Sequence, residues 1–127
     1  MSRSQSSTAD ESVNLVVLSG VLRGDVVVRT LGDSVDVAQF DLATPVTELG
    51  PSAVVPVSWR SPSAVDLDLL SDGVSVTVLG TVTKRFYRAG GVTRATTEVV
   101  VERLVPTRRK RSVAALRSLA AERVGSG

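Results

Sequence analysis

The feature that most constrains the fold is the density of β-branched residues, which occur in short runs broken by turn-forming residues. Valine supplies 25 of the 127 residues and threonine 11, and both types favour strands. In residues 74–78 valine alternates with Ser75 and Thr77, the pattern of a half-buried strand. Turn signals such as Arg23-Gly24-Asp25 and Gly32-Asp33-Ser34 separate the runs. The chain is therefore predicted to be all-β, at a length typical of one domain.

Six β runs and one helix follow one another along the chain. The strand candidates are residues 13–22, 26–31, 35–44, 53–59, 74–87 and 93–105. Between the fourth and fifth runs, Ser61-Pro62-Ser63 supplies a helix cap and a first-turn proline, and Gly73 suits the end of about two helical turns. Pro56 places its strand at an edge or a bulge. Gly90-Gly91 between the last two runs predicts a hairpin.

This order of elements favours one small barrel. A Greek-key barrel with a helix between its third and fourth strands is the OB-fold, and Gly20 offers a bend or close backbone approach in a long first strand. An immunoglobulin-like sandwich is the alternative, but it has no use for the helix and its Cys…Trp…Cys pattern is missing. We predict a five-stranded OB-fold over residues 13–105, preceded by a disordered polar arm at residues 1–12.

Residues 106–127 form a tail of different character. A basic run at residues 107–111 precedes a segment in which Val113, Leu116, Ala120 and Val124 share one helical face. A helix of about a dozen residues is marginal without a surface to dock on. The tail is therefore predicted to be disordered or frayed in isolation and helical against a partner or a neighbouring subunit.

Composition argues against an enzyme. The chain has no cysteine and no histidine, which removes disulfides, the usual zinc sites and histidine acid–base chemistry. Two aspartate clusters, around residues 66–72 and 33–41, do not match a calcium loop, and no phosphate-binding loop is present. No apolar run approaches the roughly 18 residues of a membrane span, and the N-terminus does not resemble a signal peptide. We expect a cytoplasmic protein with no catalytic residues, no metal, no cofactor and no membrane contact.

Charge is unevenly distributed. Residues 1–105 carry 9 Lys+Arg against 12 Asp+Glu, a net −3, and residues 106–127 carry 6 against 1, a net +5. Within the body, the window 73–97 contains no acid. Its cations are Lys84, Arg85, Arg88 and Arg94. The window is either a local anion site or a solvated hairpin, and charge alone does not decide between them.

The aromatic residues are few, so each is informative. They are Phe40, Trp59, Phe86 and Tyr87, and the last two stand inside the basic hairpin. Single-stranded nucleic acid is bound by rings that stack on bases and by cations that follow the phosphates. Adjacent strand residues point to opposite faces, so Tyr87 is placed on the binding face and Phe86 either packs on the barrel or meets another subunit. Phe40 is assigned to the core, and Trp59 to either a core, an interface or a binding surface.

Several segments together resemble the bacterial single-stranded DNA-binding protein family. They are residues 13–22 followed by Asp25 and Val28-Arg29, residues 40–44, residues 74–80 with Arg85 and Tyr87, and residues 96–104. The resemblance implies an OB-fold homotetramer that binds single-stranded DNA without sequence preference in replication, repair or recombination. It implies stacking by Trp59 and Tyr87, and Phe86, in the same hairpin, is a further candidate for stacking. It also implies phosphate contacts from a set of cations: Arg29, Lys84, Arg85, Arg88 and Arg94.

The chain departs from that family in two places. Ala53, Val54 and Val55 replace a tryptophan and the basic or histidine residues beside it, and an Arg-rich tail replaces the acidic tip that ends in Pro-Phe. We therefore expect a divergent paralogue that binds single strands more weakly and with stronger salt dependence. Two alternatives stay open. One is a protein–protein adaptor on the same fold; the other is a protein whose main DNA contact is residues 108–111.

Overall fold

Five strands and two helices make up the computed structural model, which describes residues 12–48 and 50–125. In chain order the elements are β1 (Val16–Thr30), β2 (Asp36–Pro45), β3 (Ser52–Arg60), α1 (Ala64–Asp68), β4 (Ser75–Ala89), β5 (Val92–Pro106) and α2 (Lys110–Gly125). The predicted N-terminal arm, residues 1–12, lies outside the described residues except for Ser12.

The strands close into one barrel with the order β1-β2-β3-β5-β4, and β4 pairs back to β1. All neighbours are antiparallel except β3 and β5, which meet in parallel at two residue pairs, Val57 with Val99 and Ser58 with Val100. Pro56 lies directly before this short contact, in a strand that pairs with β2 along its whole length. The predicted all-β class is confirmed, as a closed five-stranded barrel.

β1 is one long strand, although its sequence predicts two runs separated by a turn. It pairs with β4 over residues 16–21 and with β2 over residues 21–30, so it joins both halves of the barrel. The predicted turn is instead a bulge: the register shifts between Arg23 and Val27, and Gly24 has a positive φ of 81°. A Cβ on Gly20 would lie 2.7 Å from the carbonyl oxygen of Ala43, which confirms the predicted close backbone approach.

The barrel interior is built from alternating strand residues and is sealed by the segment around α1. Its fully buried members include Leu22, Leu42, Val57, Val76 and Val78. The helix is shorter than predicted, with five residues, and it starts later. Its N-cap is Ser63, which accepts from the Asp66 N–H, whereas the sequence indicated a cap at Ser61. After the helix, the chain returns to β1 through backbone hydrogen bonds that join residues 73 and 74 to Leu22.

The β4–β5 hairpin matches its sequence prediction. Ala89 and Val92 are paired, so Gly90 and Gly91 form a two-residue turn, and their φ angles are 60° and 79°. Two consecutive positive φ angles are what a type I′ hairpin turn requires. Fourteen cross-strand pairs connect β4 to β5, and the hairpin carries most of the predicted binding residues.

α2 packs on the barrel of its own chain. Val113, Leu116 and Ala120 are buried, as their shared face predicts. Leu116 and Ala120 form an apolar cluster with Leu79, and Leu15 packs against it. Val124, which was assigned to the same face, is exposed. The structure thus differs from the expectation of a frayed tail, because the barrel itself supplies the apolar surface that a helix of this length needs.

Candidate nucleic-acid interface

A continuous groove runs over the outer side of β1, β2 and β3 and under the β4–β5 hairpin. Its largest cavity, of about 530 Å³, lies between the first two strands and the hairpin. Two smaller cavities of about 160 and 210 Å³ adjoin it, and all three share Arg29, Gln39 and Arg85. We call this feature the groove and define it by these lining residues: Arg29, Gln39, Ser58, Arg60, Arg85, Phe86, Tyr87, Thr96 and Glu98.

The hairpin register divides the predicted site residues between two faces. Arg85 pairs with Thr96 and Tyr87 pairs with Arg94, and directly paired residues of an antiparallel ladder point to the same side. Arg85, Tyr87 and Arg94 therefore share the face that closes the groove. Lys84, Phe86 and Arg88 alternate with them and belong to the opposite face of the hairpin.

Arg29 reaches the same place from a different part of the chain. It lies near the end of β1, its side chain is exposed, and it lines all three cavities together with Arg85. Of the five cations that the sequence analysis assigned to phosphate contacts, the structure brings together Arg29 and Arg85, and the register adds Arg94. These guanidinium groups stand beside the ring of Tyr87, which is 46% exposed.

The other two cations do not join this group. Arg88 donates from Nη2 to the carbonyl oxygen of Gly91 at 2.9 Å and so holds the hairpin turn. Lys84 is exposed and pairs with Thr97. Phe86 is 68% exposed, so it does not pack on the barrel as one prediction allowed. Although Phe86 alternates with Tyr87 along the strand, it also lines the largest cavity of the groove.

Trp59 lies elsewhere than its predicted stacking role requires. It is only 9% exposed and belongs to the interior cluster, opposite Ala38, which is fully buried. An enclosed ring cannot lay its face on a base, so the assignment of Trp59 to base stacking is corrected to a core role. The cause is strand alternation: Ser58, its neighbour, is the residue that faces the groove. Phe40, assigned to the core from sequence, is indeed buried.

The floor of the groove holds a buried carboxylate that the sequence analysis missed. Glu98 is 7% exposed; its Oε1 accepts from the Ser58 hydroxyl at 3.0 Å and lies 3.4 Å from Nη1 of Arg85. The ion pair with Glu98 anchors the Arg85 side chain on the groove floor, and that side chain remains 38% exposed. Only one sequence signal marks Glu98, which is the first acid after the acid-free window 73–97.

Two further groove residues were also missed, Gln39 and Arg60. Gln39 stands between core residues of β2, and its side chain points away from the interior into all three cavities. Arg60 ends β3 and makes an exposed ion pair with Asp33 at 3.6 Å. The sequence signal for Arg60 was its position directly after the predicted strand, residues 53–59.

The aspartate clusters considered for metal or acid–base chemistry have structural partners. Asp66 caps α1, Asp72 Oδ1 accepts from the Gly24 N–H at 2.7 Å, and Asp36 Oδ1 accepts from the Thr30 hydroxyl at 2.7 Å. Across residues 12–48 and 50–125, no group of three or more His, Cys, Asp or Glu side chains is placed to hold a metal ion. Neither of the two helices in that part of the chain is long and apolar enough to cross a membrane.

Comparison of the sequence with models of known protein families finds no match, and comparison with curated proteins finds none either. The fold is a closed five-stranded β-barrel. The site is a surface groove whose largest cavity is lined by Arg29, Arg85 and the exposed rings of Phe86 and Tyr87.

Proposed function

We propose that the chain is an OB-fold protein that binds single-stranded DNA without sequence preference through the groove. We place this activity in the cytoplasm, in replication, repair or recombination. The observation that carries the proposal is the joint lining of one cavity by Arg29, Arg85 and Tyr87, with Arg94 on the same hairpin face. The strand order β1-β2-β3-β5-β4 and the position of α1 between β3 and β4 support the OB-fold assignment.

The chemistry of these side chains suits a single strand. A guanidinium group makes charge-assisted hydrogen bonds to phosphate oxygens, and such contacts carry no sequence information. A tyrosine ring stacks on any base because every base presents a π face. The groove is open along its length and adjoins three strands, so a chain of alternating bases and phosphates can lie across it. Both interactions predict binding that tolerates any sequence.

Salt dependence is the first test of this proposal. The proposal assigns phosphate contacts to three cations, Arg29, Arg85 and Arg94, so these contacts supply a large share of the affinity. Each phosphate contact with a single strand contributes about −0.7 to the slope of log K against log salt, so three contacts predict a slope of about −2. Fluorescence anisotropy of a labelled oligothymidine, titrated between about 50 and 200 mM salt, measures it. A flat dependence would contradict the proposal.

Replacement of the buried carboxylate gives a second prediction. Glu98→Gln keeps an oxygen that accepts from Ser58 but removes the negative charge that faces Arg85. Because Arg85 is partly exposed and its ion pair is screened, an effect of about 0.2–1 kcal/mol is expected. That corresponds to up to about a fivefold gain in affinity for oligothymidine.

The matched control for this change is Glu102→Gln. Glu102 pairs with Arg123 of α2, outside the groove, so its neutralisation changes the net charge equally. We expect the Glu102→Gln protein to bind oligothymidine with nearly the affinity of the unmodified chain. Equal gains in the two variants would show that only net charge matters, and would remove the groove floor from the proposal.

Assembly as a homotetramer is part of the proposal and rests on the family resemblance and on exposed apolar side chains. Val17 and Val21 of β1, which point to the same face of the strand, are 44% and 37% exposed, and self-association would cover this apolar surface. Multi-angle light scattering tests it. A tetramer has four times the 13.3 kDa mass of the chain, and a species of monomer mass at micromolar concentration would contradict it.

A protein–protein adaptor on the same barrel is the alternative function. The enclosure of Trp59 favours it, since this removes one of the three rings that were predicted to stack on bases. The adaptor predicts a folded oligomer that shows no binding of oligothymidine at low salt. The same anisotropy titration therefore separates the two functions.

A further inference from the structure

A second concentration of positive charge lies outside the groove, at the start of α2. We call it the α2 cluster; its members are Arg108, Arg109, Lys110 and Arg111. All four side chains are exposed. The ion pairs found in residues 12–48 and 50–125 join Arg60 to Asp33, Arg85 to Glu98 and Arg123 to Glu102, so none of them involves the α2 cluster.

The α2 cluster is placed where cations destabilise a helix. The carbonyl oxygen of Arg109 accepts from the N–H of Val113 at 3.0 Å, so Arg109 occupies the N-cap position, where Ser, Thr, Asp and Asn are preferred. The helix dipole makes this end positive and favours acids there, yet the first turn contains none. The helix is held by its apolar face instead. Four cations at this position therefore do not contribute to folding, and a bound polyanion would compensate their repulsion.

The surrounding charge makes the α2 cluster the dominant positive feature of the chain. Residues 1–105 carry a net −3 and residues 106–127 a net +5. Lys110 of the cluster and Arg117, about two turns further along α2, line a shallow cavity of about 430 Å³ with Thr107 and Ala114. Positive charge thus continues from the cluster along one side of the helix, which suits an extended chain of phosphates.

The α2 cluster and the groove lie at opposite ends of the β4–β5 ladder. The N–H of Thr107 donates to the carbonyl oxygen of Ser75, at the beginning of β4, whereas the groove uses Arg85 and Thr96 near the hairpin. Twelve residues separate Thr96 from Arg108, at most about 40 Å of extended strand. An oligonucleotide that only fills the groove leaves the α2 cluster unoccupied, whereas a longer strand extends from the groove to the cluster.

We propose that the α2 cluster is a second phosphate-binding site, which holds the same single strand after it leaves the groove. The inference rests on the proposed function of the groove. Two linked contacts raise the affinity for a long strand, because binding at the first site gives the second a high effective concentration. The α2 cluster therefore makes affinity depend on strand length, and it contributes its own part of the salt dependence.

The test compares two double variants on two probes. Lys110→Gln/Arg111→Gln removes two charges from the α2 cluster without lowering helix propensity. Arg23→Gln/Arg103→Gln removes two charges from exposed strand positions outside the groove and the cluster. The probes are labelled oligothymidines of about 8 nucleotides, within the site of one barrel, and of about 30 nucleotides.

The expected result is specific to the cluster variant and to the long probe. Its affinity for the long probe falls about tenfold at low salt and the salt slope becomes shallower by about 1.4, two contacts of 0.7 each. Binding of the short probe stays as in the unmodified chain, and so does binding of both probes by the control variant. The melting temperature of the cluster variant is unchanged or higher, because two cations leave the positive end of the helix.

Two results overturn the inference: an unchanged affinity for the long probe, or an equal loss on both probes and in both variants, which would indicate net charge alone. The proposed function of the groove fails separately. If the unmodified chain binds only the long probe and the cluster variant abolishes that binding, the α2 cluster is a DNA contact and the groove is not.

Discussion

Replacement of Tyr87 with alanine is expected to lower the affinity for single-stranded DNA by about 5- to 150-fold, the equivalent of the roughly 1–3 kcal/mol that one stacked base contributes. The ring lines the largest cavity of the groove beside Arg29 and Arg85, so its removal takes away the stacking surface and leaves the cations. Anisotropy titration with oligothymidine measures the loss. Because Tyr87 is 46% exposed, the melting temperature should hardly change.

The neighbouring ring tests whether the two hairpin faces differ in binding. Phe86 also lines the largest cavity, but it is 68% exposed and alternates with Tyr87 along the strand, so Phe86→Ala should lower the affinity less than Tyr87→Ala does. Tyr87→Phe retains the ring and should restore most of the binding lost in Tyr87→Ala. If Phe86→Ala costs as much affinity as Tyr87→Ala, the division of the hairpin into two faces does not describe how the strand is bound.

Replacement of Trp59 with alanine is expected to lower the free energy of unfolding by about 3–5 kcal/mol, the usual effect of deleting a large aromatic side chain from a core. Trp59 is 9% exposed and packs in the barrel interior opposite Ala38, which is too small to fill the space. Urea denaturation followed by circular dichroism measures the change. The melting temperature should fall by at least about 10 °C.

The Trp59 prediction separates a core role from a stacking role. Trp59→Phe keeps a ring in the interior, so that protein stays folded and its affinity for oligothymidine should equal that of the unmodified chain. The emission of Trp59 should also change little when the oligonucleotide binds, because the indole has almost no surface on which a base can lie. Strong quenching together with weakened binding by Trp59→Phe would place the ring in the DNA path and contradict the core assignment.

Much of the fold follows from local patterns. The hairpin turn is marked by Gly90-Gly91, since only glycine readily takes two positive φ angles in succession. The alternation of residues 74–78 defines the start of β4, and valine at every second position fills the interior. The apolar positions 113, 116 and 120 identify the buried side of α2. Each of these signals lies within a few residues of the structure that it predicts.

The corrections have a shared cause. Arg23-Gly24-Asp25 has the composition of a turn, but pairing of both flanks with β2 makes it a bulge inside one strand. Trp59 is an aromatic residue of the kind that stacks on bases, but its position in the pleat directs the side chain into the barrel interior. In both cases the local structure depends on pairing with a neighbouring strand, and the local sequence does not identify that strand.

The all-β class, the basic hairpin and the apolar side of the last helix follow from the sequence alone, because they depend on side-chain type and on spacing along the chain. Which residues meet depends on the tertiary structure. The closure of β1 on β2 and β4 brings Arg29 across from Arg85, 56 positions away in the chain. The parallel contact between β3 and β5 brings Ser58 to Glu98. Strand pairing over such distances depends on the closed barrel as a whole, so the composition of the groove emerges only when the barrel is complete.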